Sequence, residues 1–274
     1  MEDRSAFEQA AEVIRRAEAL VVAAGAGMGV DSGLPDFRGL EGFWQAYPPY
    51  RKSGIRFQEA ANPQHFRDDP TLAWGFYGHR LSLYRVTNPH RGFEIILRWT
   101  RLKNLDYFVV TSNVDGHFQK AGFPEGQIDE VHGSIHHLQC LKPCCREIWP
   151  NHEEVPVDLE TMRAMSLPLC PHCGGMARPN ILMFGDWSWL SHRSDRQAQA
   201  LARFRGQHRS SRLAVLEIGA GTAVATIRSF CEELTSSDRV RIIRVNPRES
   251  EIHPPHRSLA TGALEALEGI DALL

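Results

Sequence analysis

The sequence predicts an α/β fold: a parallel sheet with helices between its strands, plus a smaller lobe made by insertions. Two observations carry that expectation. Four compact apolar runs alternate with helix-period segments. Two intervening stretches break the rhythm, one rich in aromatic residues and one holding five of the six cysteines.

The elements follow in chain order. Phe7, Ala10, Ala11, Val13, Ile14 and Ala17 recur at near-helical spacing and predict a first helix, followed by a buried strand over Ala19–Ala24. Residues 93–102 read as a helix, 107–111 as a β-branched and aromatic strand, and 114–121 as a short helix; residues 128–131 lead to a further strand end at His132. Leu213–Ile218 and Val240–Val245 are strands separated by a helix over 222–234. The first insertion, 39–89, reads as loops and short helices lying over the sheet, and the second, 136–178, is poor in strand signals. The sheet part is therefore expected over 1–39, 90–135 and 179–274, and the small lobe over 40–89 and 136–178.

Composition narrows the function. Lys and Arg number 31 against 33 Asp and Glu, a net charge of −2, without the basic excess of a nucleic-acid binder. The first residues lack the basic and then apolar pattern of a secretory signal, so a cytoplasmic protein is expected. The longest apolar stretch, 19–30, is broken by Gly25, Gly27 and Gly29 and falls short of the ~20 residues that cross a bilayer. No membrane or nucleic-acid partner is expected.

Three groups of residues could carry chemistry. Gly25, Ala26 and Gly27 follow the first strand directly, where glycines let the backbone turn and approach a diphosphate; the same loop serves equally as a ligand-free turn. Asn113 and Asp115 follow the second strand at the carboxyl end, where open α/β sheets bind ligands, though such residues also simply start turns. His132, one of 13 histidines, offers an imidazole that is a base near neutral pH.

The cysteines form two knuckles. Cys170 and Cys173 are spaced C-x-x-C before Gly174 and Gly175, and Cys140 lies upstream with Cys144 and Cys145. Four thiolates suit tetrahedral Zn²⁺ and leave no open position, so the zinc is structural. The fourth ligand is Cys144 or Cys145; the tighter loop favours Cys144, giving the set Cys140, Cys144, Cys170 and Cys173. A redox pair is the alternative, against which the second cluster stands. His172 is expected to be exposed, His136 and His137 to lie on strand or lobe surface, and Cys231 to be a buried core thiol.

The run GAGMGVDSGLPDFRG, residues 25–39, resembles the sirtuin signature. TSNVDG at 111–116, VHGS at 131–134, the Cys170 knuckle, RPNILMFGD at 178–186 and Val245-Asn246 follow in the family's order. The resemblance is to a divergent, bacterial-type sirtuin. It implies a Rossmann-like parallel-sheet domain that binds NAD, a smaller inserted zinc-binding and helical lobe, and a reaction in the cleft between them. Gly25, Ala26 and Gly27 would line the dinucleotide beside Asp36, with Arg38 near its phosphates and Phe37 beside the nicotinamide ribose. Ser112, Gly219, Gly221, Thr222 and Asn246 would complete the cofactor contacts. Asp115 would hold the nicotinamide carboxamide, Asn113 would organise ribose and water, and His132 would be the general base.

On the substrate side, residues 180–186 resemble the segment that pairs with an extended peptide, turning at Phe184 and Gly185. Tyr77 and Arg80 resemble the Tyr-x-x-Arg pair with which some sirtuins hold acidic acyl chains. The implied activity is NAD-dependent deacylation, acetyl or acidic acyl, of a lysine on a protein or peptide, releasing nicotinamide and O-acyl-ADP-ribose. In the implied mechanism the acyl oxygen attacks the nicotinamide ribose, and His132 then draws a proton from the ribose hydroxyls. Several positions depart from the family: Gly29 for Ser, Ser112 for Gln, Gly219-Ala220-Gly221-Thr222 for Gly-Thr-Ser, and His117-Phe118 for Leu-His. Gly29 and Ser112 keep open NAD-dependent ADP-ribosyl transfer or NAD hydrolysis as an alternative, and a non-catalytic NAD or ADP-ribose sensor using the same loop is a second.

Overall fold

The computed structural model describes residues 2–36, 43–44, 47–52 and 54–274. Phe37 and Arg38, expected beside the cofactor, lie outside the described residues. The strands in chain order are β1 (Ala19–Ala24), β2 (Asp106–Thr111), β3 (Ile128–Glu130), β4 (Gly133–Cys140), β5 (Ile148–Pro150), β6 (Val157–Asp158), β7 (Arg163–Ala164), β8 (Ala177–Ile181), β9 (Leu213–Ile218), β10 (Val240–Val245) and β11 (Arg257–Leu259). The helices are α1 (Glu2–Arg16), α2 (Pro48–Lys52), α3 (Phe57–Ala60), α4 (His65–Asp68), α5 (Pro70–Val86), α6 (Arg91–Leu102), α7 (His117–Lys120), α8 (His192–Gln207), α9 (Thr226–Leu234) and α10 (Ala263–Asp271). Among the described residues no helix is long and apolar enough to cross a membrane.

Six strands pair in parallel in the order β11-β10-β9-β1-β2-β3. Every residue of β1 and β9 is buried, which is why both read as continuous apolar runs rather than as alternating patterns. Leu20, Val22 and Ala24 face a layer holding Ala10, Ala11 and Ile14 of α1, Phe93 and Ile96 of α6, and Leu267 and Ile270 of α10. Ala19, Val21 and Ala23 face Leu201 and Phe204 of α8 and Ile227 and Cys231 of α9. Both faces of the sheet are thus covered by helices.

From β1 the chain runs outward one way to β2 and β3, and from β9 it runs the other way to β10 and β11. The order therefore reverses between β1 and β9, the place where open sheets of this kind open a ligand crevice. Ala24 pairs with both Thr111 and Ile218, and Ile218 with Val245, so four carboxyl ends lie level.

The second unit is built differently. A three-stranded antiparallel sheet, β5-β4-β8, and a two-stranded one, β6-β7, lie against α5. Their shared core is aromatic: Phe43, Tyr47, Tyr50, Phe66, Trp74, Phe76 and Tyr77 pack with Ile135, Leu138 and Ile181. Helix α5 starts sharply because Asp69 accepts the N–H of Leu72 at 3.2 Å and Pro70 opens the first turn.

Four local expectations change. The helix expected over 114–121 is only α7, because Gly116, at φ +73, holds a left-handed conformation ahead of it. The helix expected over 222–234 begins at Thr226, and the strand expected to reach Val131 ends at Glu130. The stretch 136–178, expected to be strand-poor, carries most of β4, all of β5, β6 and β7, and the start of β8. Its strands are two or three residues long, or rich in buried polar residues such as Gln139 and Arg178, so they lack an apolar period.

Candidate active site

A cleft of about 680 Å³ opens beyond the level carboxyl ends of the parallel strands. Gly25 and Ala26 after β1, Ser112 and Asn113 after β2, and Gly219 and Gly221 after β9 line its sheet side. The first and third of these loops touch backbone to backbone. A Cβ on Gly219, already at φ +64, would meet Gly27 Cα at 2.4 Å, and one on Gly25 would meet Gly219 O at 2.7 Å. These glycines are thus first a condition for two loops to abut at the switch point; Gly27 itself stands outside the lining. Asn113 ties the second loop to the first, its Nδ2 donating to Gly25 O at 2.9 Å.

The floor behind the β9 loop is ionic. Glu217, 1% exposed, stands opposite Arg244 in the β9–β10 register, with Arg244 Nε 2.7 Å from one carboxylate oxygen and Nη2 donating to the other at 3.0 Å. Arg228 of α9 approaches the same carboxylate at 3.5 Å and donates to Ala220 O at 2.8 Å and Glu249 O at 2.9 Å. Asn246 is buried behind this loop, where its Nδ2 donates to Ala220 O at 2.9 Å and its Oδ1 accepts the N–H groups of Arg248 and Glu249. Thr222 gives both its N–H and its hydroxyl to the Glu249 carboxylate, at 3.2 and 2.6 Å. Asn246 and Thr222, both expected at the cofactor, stand outside the lining.

Asp115 and His132 both line the cleft. Asp115 is buried; desolvation raises its pKa, opposed by the His117 N–H that donates to its Oδ1 at 2.9 Å. His136, expected on the surface, is half-buried and donates from Nε2 to the Asp115 backbone carbonyl at 2.8 Å. Its neighbour His137 is half-buried too, and desolvation brings its pKa down to about 4. His132 lies in the turn between β3 and β4, with Nε2 3.2 Å from Thr226 Oγ1. Burial pushes its pKa below the ordinary value, against a hydrogen bond to the Ser112 backbone, so the ring is neutral at pH 7.

The other wall comes from the small unit. Arg80 is buried among the rings of Phe76, Tyr77 and Tyr84, 5.1, 5.7 and 5.4 Å from their centroids. Its Nε and Nη2 donate to Tyr84 Oη at 3.0 and 2.9 Å. Tyr77 Oη is buried with no hydrogen-bond partner among the described residues. Tyr77, Arg80 and Tyr84 all line the cleft. The i, i+4 spacing of Arg80 and Tyr84 on one helix was the available sequence signal for Tyr84. Thr226 carried none.

Phe184 lines the mouth, 40% exposed, with its ring edge-on to Phe57; Asp36 also lines the cleft, and Gly185 does not. The segment expected to accept a peptide strand is largely occupied by its own chain. Residues 180 and 181 pair with β4, Leu182 N donates to His132 O at 2.9 Å, Met183 N to Asp186, and Phe184 N to Ala61 O at 3.0 Å. The N–H groups of Leu182, Met183 and Phe184 are therefore committed.

Away from the cleft, the Sγ atoms of Cys140, Cys144, Cys170 and Cys173 lie within 4.8 Å of one another. Cys140 to Cys173 is 3.7 Å and Cys144 to Cys170 is 3.6 Å. A tetrahedral Zn²⁺ with Zn–S of about 2.3 Å has S···S edges of roughly 3.8 Å, so the donor set fits the ion. Against the burial that would raise it, the N–H groups of Cys173 and His172 hold the Cys170 thiol at about 7. His172 is exposed and Cys231 buried, as expected.

The Sir2 family profile matches residues 25–202, well over half of the chain. The chain belongs to the Sir2 family. It is 33% identical to the NAD-dependent protein deacylase of Thermococcus kodakarensis, over 65% of this chain and 63% of that protein's length. It is 30% identical to NAD-dependent protein deacylase 2 of Pyrobaculum aerophilum, over 89% of this chain and 86% of that one. The solved structure of a Sir2 homologue mutant bound to ADP-ribose matches with a TM-score of 0.73 at 25% identity, covering 96% of this chain and 94% of that one. The α/β architecture expected from the sequence is thus the Sir2 fold, with a cysteine cluster that fits zinc.

Proposed function

We propose that this Sir2-family chain is an NAD-dependent protein lysine deacylase, releasing nicotinamide and O-acyl-ADP-ribose, and that it favours acidic acyl chains over acetyl. The observation that carries the reading is the convergence of Asn113, Asp115 and His132 on one cleft whose other lining includes the Gly25 and Gly219 loops. Its volume falls within the range of cofactor sites, about 300–1,000 Å³. The ADP-ribose bound by the Sir2 homologue supports a dinucleotide there. When bound, NAD would supply a ribose carbon from which the acyl oxygen of the lysine displaces nicotinamide.

The residues of the chain supply position and one base. Asp115 presents a buried carboxylate, an acceptor for a carboxamide N–H. Asn113 has committed its amide nitrogen to Gly25 and offers its oxygen as acceptor to a hydroxyl or water. His132, held neutral by burial, takes a proton from a ribose hydroxyl. The four cysteines would hold a structural zinc with no open position, remote from the chemistry.

Acyl preference rests on the small unit's wall. A buried guanidinium and the Tyr77 hydroxyl, which lacks a partner among the described residues, provide the cation and donor that a carboxylate-ended acyl chain needs.

Mass spectrometry of the products from NAD with acetyl-, succinyl- and glutaryl-lysine peptides tests the reading. Peptide-dependent nicotinamide and O-acyl-ADP-ribose are expected, fastest with the acidic chains. Nicotinamide release that ignores the peptide would replace it with NAD hydrolysis or ADP-ribosyl transfer. NAD binding without release would leave a sensor.

A further inference from the structure

We infer that Cys145, Glu147 and His172 form a second divalent-metal site, of the zinc type, beside the four-cysteine cluster. Their ligand atoms, one thiol sulfur, one carboxylate oxygen and one imidazole nitrogen, lie within 4.8 Å of one another. None of the three belongs to the four-cysteine set, and the inference does not depend on the proposed deacylase activity.

The arrangement follows from how the knuckles close. Cys144 meets Cys170 at 3.6 Å and Cys140 meets Cys173 at 3.7 Å, which clamps residues 140–147 against 170–173. Cys145 directly follows one clamped cysteine, and His172 directly precedes another. Closing the first site therefore brings the next residues of both knuckles together. Glu147 Oε2 and His172 Nε2 are already in contact across the gap, each side chain about half exposed, at 51% and 47%.

The donor chemistry selects the ion. Thiolate with imidazole and carboxylate suits Zn²⁺ rather than Mg²⁺ or Ca²⁺, which take oxygen ligands. Three protein ligands leave one tetrahedral position for water, and the ion is exposed on that side. One thiolate and one carboxylate balance its charge of +2. The neighbouring Zn(Cys)₄ unit carries −2 and attracts a second cation. Binding as a thiolate displaces the thiol proton of Cys145, with no change of oxidation state. The paired cysteines at 144 and 145 thereby acquire separate tasks: Cys144 closes the inner tetrahedron and Cys145 serves the outer ion. Held by three protein ligands instead of four thiolates, the outer ion is the more weakly bound of the two.

Titration of the full-length, singly loaded zinc protein with Zn²⁺, and in parallel with Co²⁺, tests this. Wild type is expected to take up a second equivalent that a mild chelator removes before the first, and Co²⁺ there is expected to show a charge-transfer band from a single thiolate. Cys145→Ser and the pair Glu147→Gln with His172→Ala are expected to keep the first zinc, which reports that the knuckles still close, and to lose the second. Wild-type protein that stops at one equivalent would overturn the inference. So would variants that still bind the second, or a Cys145→Ser protein that loses the first zinc instead.

Discussion

The two walls of the cleft are held in place by different means. On the sheet side, β1 and β9 are six residues long, buried throughout and covered by helices on both faces, so apolar burial sets the position of Gly25, Ser112 and Gly219. On the other side, β5, β6 and β7 are two or three residues long and exposed or half-exposed along most of their length. Strands that short bury little on their own and lean on the aromatic cluster around α5. The four thiolates do there what the central sheet does for the other wall. One wall is thus positioned by the buried sheet, while the lobe behind the other also carries four cysteines that fit a zinc ion.

Removing that ion breaks the comparison hardest. Structural zinc contributes on the order of 10 kcal/mol in small zinc peptides. Chelation, or Cys170→Ser, is expected to abolish hydrogen-exchange protection across residues 140–177 and to end activity, while residues 19–24 and 213–218 stay protected. Uniform loss of protection would show that the walls are not independent. His132 lies where the walls join, and His132→Ala is expected to lower kcat by about 10²–10⁴ without moving the melting temperature. Because burial lowers its pKa, the neutral base persists below the ordinary value of about 6.5 and activity is lost only as pH falls through the lowered value. An acid limb in kcat above pH 7 contradicts that assignment.

The sheet wall has its own weak point. Glu217→Ala strands two buried guanidinium groups, and unpairing a buried charge costs about 3–5 kcal/mol. A lowered melting temperature and a raised KM for NAD are expected, with zinc content unchanged; an unaltered melting curve would mean that the pair contributes nothing. Arg80→Met sharpens the contrast most gently. A charge-assisted hydrogen bond is worth about 1.5–3 kcal/mol, so kcat/KM on succinyl peptides is expected to fall roughly 10- to 100-fold while acetyl turnover changes little. Equal losses on both would make Arg80 structural only.

How much of this was legible in the sequence follows the same division. The four central strands and α1 announce themselves because β-branched runs and a 3.6-residue period are direct consequences of being buried. The four zinc-set cysteines are legible because metal ligands must recur at fixed spacings. The lobe's strands are not, since Arg178 and Asn180, both 0% exposed, are polar residues whose partners, Asp186 and Gln139, come from elsewhere in the chain. Glu217 and Arg244 are equally opaque: a charge inside a strand reads as an edge until the register sets its counter-ion opposite. Asn246 shows the limit of a motif, which finds the residue and not the direction of its hydrogen bonds.

Only Val131 and His132 lie between the last residue of β3, in the parallel sheet, and the first of β4, in the antiparallel one. The imidazole therefore sits in the short link between the two sheets. A change in the angle between the two sheets would turn the His132 ring directly, through the two residues that join them.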